Sequence, residues 1–253
     1  MIYAIGDIHG KFDLLQALYN SIKLDIEECG DKENTIVFLG DYIDRGRQNR
    51  QVLDFIKNLE SNDNLNHIFI RGNHEDIFID AMENPRKQAY VSMWVNNGGR
   101  AFLEEVGMDF DYFNETFAWH QYVRWMKYRL EDYYETEDYI FVHGGLDIRK
   151  PNMKDQEPEY LHWARFTDYN WYQSFHKMVI HGHTPRPDPQ IDANRVNVDT
   201  SWSYVKYKGV SNLTAVALPN RRDDKFKPPR FIQAEQHIPD LEPYLKNTTS
   251  DFA

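Results

Sequence analysis

The chain has 253 residues and a mass of 30.2 kDa, room for one large domain or two small ones and enough to bury a core without disulfide or metal staples. Its 40 acidic side chains against 29 basic ones leave a net charge of -11, the wrong sign for a broad polyanion-binding face, so general nucleic-acid binding is not expected. The one cysteine, Cys29, forbids an intrachain disulfide, no window approaches the roughly 18 apolar residues of a bilayer span, and the opening MIYAIGDIHG lacks a charged leader, so a cytoplasmic protein without membrane partners is expected.

In chain order, short apolar runs that stop abruptly at glycine, aspartate, asparagine or histidine predict strands at 1–5, 35–39, 67–70, 139–142 and 178–180. Runs at 195–198, 214–218 and 230–233 read as plain sheet. Between the early runs, Phe12, Leu15, Leu18, Tyr19 and Ile22 fall on one helical face, as do Val52, Leu53, Ile56 and Leu59. Strand and helix alternate, so the class is α/β, with a ligand site expected at the carboxyl ends of the strands. The stretch 76–134 reads as a helical insertion whose stripe Trp119, Tyr122, Trp125 and Met126 is core, and 149–177, with Pro151 and Pro158, reads as a long ordered loop. A single domain over 1–238 and a polar tail over 239–253 follow. Asn-x-Thr triplets at Asn114, Asn212 and Asn247 read as chance matches.

Five of the predicted strands end in clusters of unusual chemistry. The first runs into Gly6-Asp7-Ile8-His9-Gly10, where alternation in an extended segment would turn Asp7 and His9 to one side. The second runs into Gly40-Asp41-Tyr42-Ile43-Asp44-Arg45-Gly46. A helix cap needs one of those carboxylates, which leaves Asp41 charged behind a buried strand with no reason except a cation. The third runs into Gly72-Asn73-His74-Glu75, offering an amide oxygen and an imidazole; Glu75 and Asp76 read as first-turn helix carboxylates. His143 before two glycines and His183 within His181-Gly182-His183-Thr184 complete the set, while His120, His162 and His176 read as solvated or satisfied. Carboxylate, carboxamide and imidazole donors without thiolate suit hard or borderline divalent ions. Two such ions about 3.5–4 Å apart, sharing a carboxylate, would turn water into a hydroxide aimed at phosphorus, so the expected reaction is phosphoester hydrolysis.

With GDIHG, GDYIDRG, GNHE, HGG and HGHTP in this order, the chain resembles the calcineurin-like metallophosphoesterases, and within them the PPP-type protein phosphatases of the compact bacteriophage-lambda form. The resemblance covers about two-thirds of the chain. It implies a central β-sandwich of mixed sheets flanked by helices. It also implies one ion on Asp7 and His9, a bridging Asp41, and a second ion on Asn73, His143 and His183. His74 would be the general acid, oriented by Asp44; Arg45, Asn73 and Arg165, the last in Trp163-Ala164-Arg165, would hold the phosphoryl group. Mn is the expected metal, with Fe, Zn or Ni as alternatives. Expected substrates are phosphoserine or phosphothreonine proteins and small phosphomonoesters. Symmetrical diadenosine tetraphosphate hydrolases of the same superfamily are the alternative, but Asp44 and Glu75 favour the phosphatase branch.

Overall fold

The computed structural model describes residues 1–62, 65–107, 120–165, 175–201, 210–220 and 229–237. Two five-stranded mixed sheets face each other. The first has the order β10-β9-β1-β2-β3, from strands β1 Ile2–Ile5, β2 Thr35–Phe38, β3 Asn66–Phe69, β9 Val210–Leu218 and β10 Arg230–His237. Here β1, β2 and β3 are parallel, and β9 runs antiparallel between β1 and β10. The second has the order β4-β5-β6-β8-β7, from β4 Tyr133–Glu135, β5 Tyr139–Val142, β6 Met178–His181, β7 Gln190–Asp192 and β8 Arg195–Asn197. Its centre β5, β6 and β8 is parallel and both edges are antiparallel.

The apolar runs are continuous because both faces of the central strands are covered. In β1, Tyr3 and Ile5 point to the helices while Ile2 and Ala4 point to the other sheet; in β2, Ile36 and Phe38 alternate with Val37 and Leu39 in the same way. From the second sheet, Tyr139, Phe141, Met178 and Ile180 meet them across the seam, and Ile140, Val142 and Val179 face outward onto Leu161 and Phe175. The outer helices of the first sheet are α1 Phe12–Cys29 and α2 Asn49–Asn62, whose buried faces contain Leu15, Leu18, Tyr19 and Ile22, and Val52, Leu53, Ile56 and Leu59.

Between β3 and β4 come α3 Asn73–Glu83, α4 Gln88–Trp94, a wide π-type turn Val95–Gly99, α5 Arg100–Glu105 and α6 His120–Arg129. Tyr122 and Met126 of the aromatic stripe are buried; Trp119, Asn114 and the tail 239–253 lie outside the described residues. The stretch 149–177 departs from the loop expected. A 3₁₀ turn at Met153–Asp155 is followed by α7 Pro158–Trp163, and Pro158 starts that helix instead of breaking it because its missing N–H falls at the first position, where no partner is needed. Asn212 is buried in β9, which fits its reading as a chance triplet. Among the described residues no helix is long and apolar enough to cross a membrane.

Candidate metal centre and active site

The donors meet at one end of the sandwich, where β1, β2, β3, β5 and β6 release their chains. Asp7, His9, Asp41, Asp44, Asn73, His74, His143 and His183 are all buried. Their backbone is unusual. Among the described residues, the non-glycine positions with left-handed φ are His9, Asp41, Asp44, Arg45 and His183, at 47°, 52°, 72°, 66° and 63°. Each such conformation costs about 1–3 kcal/mol and persists where the surroundings overdetermine it, as at functional sites. His9 therefore reaches the site through a left-handed turn beyond the end of β1, not by the extended alternation read from the sequence.

Asp41 is the hub. His9 Nε2 stands 3.5 Å from its Oδ2, His143 Nε2 3.3 Å from its Oδ1 and His74 Nε2 3.9 Å from its Oδ2. Two groups, His9–Asp41–His74 and Asp41–His143–His183, each bring ligand atoms within 4.8 Å of one another, and Asp41 belongs to both. Asp7 Oδ2 lies 3.9 Å from His9 Nε2, and the amide oxygen of Asn73 is 3.0 Å from His143 Nε2.

The ring tautomers supply a test of metal fit. A carbonyl only accepts, so the nitrogen facing it must carry the hydrogen. His9 donates Nδ1–H to the Ile43 carbonyl at 2.9 Å, His143 donates Nδ1–H to Leu39 at 2.7 Å, and His183 donates Nε2–H to Trp163 at 3.1 Å. Each ring is thus pinned by one nitrogen with the other turned inward, the arrangement that orients metal-binding histidines. Together with Asp7, Asp41 and Asn73 these residues fit a divalent cation pair.

The charges agree. Burial and the neighbouring Asp199 push the Asp7 carboxyl well above the usual range. Burial would raise Asp41 as well, but His143, His74 and His9 hold it well below. Burial and Arg45 keep His9 neutral, and burial and His143 draw His183 down to about 3. Burial lowers His143 too, yet Asp41, Asp7 and Glu75 raise it to about 10. Excess carboxylate in a dry pocket is the environment a cation relieves.

Beside the hub stands a buried Asp–His pair. His74 donates Nδ1–H to Asp44 Oδ2 at 2.7 Å, and Asp44 is fully buried. Burial pulls the His74 imidazolium down, but Asp41 and Asp44 outweigh it and hold it above its ordinary value. The Arg45 fork lies across both rings, Nη1 2.5 Å from His9 Nε2 and Nη2 3.0 Å from His74 Nε2. Arg165 is exposed just past α7, close enough to His183 for its charge to lower that ring.

Three participants, Asp199, Lys11 and Trp94, were not singled out by the sequence, and Glu75 does more than the sequence reading gave it. Glu75 is a first-turn carboxylate, but it also accepts N–H bonds from Asp41 at 2.9 Å, Tyr42 at 2.9 Å and Gly72 at 3.0 Å, binding the second cluster to the third. Asp199, one residue past the run 195–198 that reads as plain sheet, is buried and its charge acts on Asp7; burial raises its carboxyl, and the signal available was an acid directly behind an apolar strand. Lys11, whose ammonium donates to the Ser201 carbonyl, is lowered to about 8 by burial, and Asp199 and Asp7 act against that shift. Trp94 donates its indole N–H to Asp44 Oδ1 at 2.9 Å. His162 is satisfied, as expected, between Asp76 and Asp132, while His120 and His176 are exposed. His181 is buried, donates Nδ1–H to the Gly182 carbonyl and is not part of either donor group.

A model of the calcineurin-like phosphoesterase family matches residues 1–212. Serine/threonine-protein phosphatase 1 of Salmonella typhimurium is 29% identical over 101 residues, and the match spans 40% of either chain. The asymmetrical bis(5'-nucleosyl)-tetraphosphatase PrpE of Bacillus velezensis is 24% identical over 218 residues, 79% of this chain and 84% of that one. Among solved structures, a protein serine/threonine phosphatase from Saccharomyces cerevisiae with similarity to human phosphatase PP5 superposes with a TM-score of 0.57 at 18% identity, over 93% of this chain and 79% of the other; at that identity the likeness is one of fold.

Proposed function

The chain belongs to the calcineurin-like phosphoesterases, enzymes that hydrolyse phosphoesters, and on that premise we propose that it is a metal-dependent phosphomonoesterase of the serine/threonine protein phosphatase type. The observation that carries the reading is the buried Asp44–His74 pair set against the carboxylate shared by both donor groups. A metal-binding scaffold needs ligands but has no use for an imidazole oriented to give a proton.

In this proposal Asp7, His9 and Asp41 hold one ion, and Asp41, Asn73, His143 and His183 hold the other. Asp7 is assigned to the first ion in place of His74 because Nε2 is the one His74 nitrogen that Asp44 leaves for proton transfer. Two divalent ions, with Mn first among Mn, Fe, Zn and Ni, would supply charge neutralisation at phosphorus and lower the pKa of an attacking water. His74, held through Nδ1, gives its Nε2 proton to the departing alkoxide oxygen. Arg45, with its planar fork already aimed at the space over His9 and His74, takes the phosphoryl oxygens, and Arg165 and the Asn73 amide complete their cradle. Movement of the Arg45 fork onto phosphate withdraws it from His74 Nε2 and leaves that nitrogen free to carry its proton.

A dinucleoside polyphosphate reading is kept because the PrpE match runs over most of the chain. Asp44 and Glu75 favour the phosphatase. With Mn supplied, turnover of a phosphoserine or phosphothreonine peptide measured beside diadenosine tetraphosphate separates the two. The peptide should be the faster substrate, and faster turnover of the dinucleotide would reverse the ranking.

A further inference from the structure

The helical stretch between β3 and β4 grips the second cluster at three points. Trp94, the last residue of α4, donates its indole N–H to Asp44 Oδ1. Gly98, in the π-type turn, offers its carbonyl to the Arg45 N–H at 3.1 Å. Glu105, the last residue of α5, accepts the N–H groups of Asn49 at 2.7 Å and Arg50 at 3.0 Å, and Asn49 Oδ1 in turn accepts the Asp44 N–H at 2.7 Å. A wide turn of this kind inside helical structure is frequent at functional sites.

The Asp44 carboxylate has one oxygen for each neighbour: Oδ2 for His74 and Oδ1 for Trp94. One bond alone would let the carboxylate rotate about its stem, and the imidazole with it; two bonds on opposite oxygens fix the plane. Trp94 can act this way because its ring is itself immobile. It is fully buried, edge-on to Phe78 and Phe102 at centroid distances of 5.4 and 6.3 Å. Resting on the reading of His74 as the proton donor, we propose that Trp94 is a positioning residue for proton delivery, acting through Asp44. It touches neither substrate nor metal ligand in this role. The relay runs from the indole N–H to a carboxylate to the imidazole, and no proton need leave the indole.

The consequence is selective. Protonation matters when the leaving oxygen is a poor one, such as a serine or alkyl alkoxide, and hardly at all when it is 2,4-dinitrophenolate. Two variants remove the N–H: Trp94→Phe, and benzothienylalanine at position 94, which keeps the bicyclic shape and so guards against a packing defect. Phe102→Leu, which disturbs the same core without touching Asp44, is the packing control. For both Trp94 variants kcat on a phosphoserine peptide should fall about 10-fold, with dinitrophenyl phosphate changed less than about 2-fold, KM steady and metal content unaltered. His74→Asn, run alongside, should show the same selectivity more deeply. Equal loss on both leaving groups in His74→Asn overturns the acid reading, and the Trp94 proposal with it. Selectivity in His74→Asn that is missing from the Trp94 variants, or reproduced by Phe102→Leu, overturns the Trp94 proposal alone.

Discussion

Replacing Gly40 by alanine separates backbone strain from site geometry, provided Gly30→Ala is measured beside it. Gly40 has φ +96°, and a Cβ there would lie 2.6 Å from the Gly72 nitrogen, 2.8 Å from its Cα and 3.0 Å from His143 Nδ1. Gly30, which caps α1 at φ +67°, has nothing within 4 Å of the corresponding position. Alanine at Gly30 therefore incurs only the left-handed backbone cost, about 1 kcal/mol, and should lower Tm by roughly 2–4 °C without touching activity. Alanine at Gly40 incurs that cost and must also push the Gly72 backbone away by roughly 0.8 Å to restore ordinary contact. The backbone it displaces leads straight into Asn73 and His74, and the ring it presses is His143. A misplacement of about 1 Å can lower a rate by about 10²-fold, so kcat on p-nitrophenyl phosphate should fall to that order, with part of the bound metal lost. Thermal melts, elemental analysis and steady-state kinetics on both variants make the comparison. Wild-type kcat and metal content in Gly40→Ala would refute the packing argument.

Asp41→Asn should weaken both ions together, because both donor groups use that carboxylate; elemental analysis finding two retained equivalents would contradict the sharing. His162 gives a pH prediction. Burial draws its imidazolium down, but its bonds to Asp132 and Asp76 outweigh this and raise it above the ordinary value; Arg71, 3.9 Å from Asp76, also faces the group. A raised basic group stabilises the fold fully below its unfolded pKa, and the contribution is lost as pH climbs through the folded one. The Tm difference between wild type and His162→Asn should accordingly be largest below about pH 6.5 and shrink toward higher pH, and a gap that widens with pH would refute it.

Strand exits were legible in the sequence because two independent signals coincide there, a doubly buried apolar run and a polar residue beside glycine. The same rule overlooked Asp199, since Val198-Asp199-Thr200 has the strand but no glycine or histidine to mark it. Trp94 was hidden by a different cause. Its rings are core and its N–H belongs to the site, and periodicity reports only the first. The left-handed turns at His9 and Asp41 are only faintly signalled by residue type, Asp and His merely tolerating that backbone, and tertiary hydrogen bonds impose them: the Ile8 and His9 N–H groups both donate to the Asp41 carbonyl, at 3.0 and 2.9 Å. Helix α7 was obscured by reading Pro158 as a breaker when its position made it a start.

His143 leaves the second sheet and donates to the carbonyl of Leu39 at the end of β2 in the first, while the His183 N–H reaches Asp7 beyond β1. The proposed ligand cage is consequently stitched across the seam of the sandwich, and sliding of one sheet over the other would alter donor spacing directly. The greasy layer between the sheets, where Val37 and Leu39 meet Phe141 and Ile180, thus sets the bite of the cage from a distance. Drift in that layer would be passed to the rim through these bonds, which ties the interior of this enzyme to its turnover.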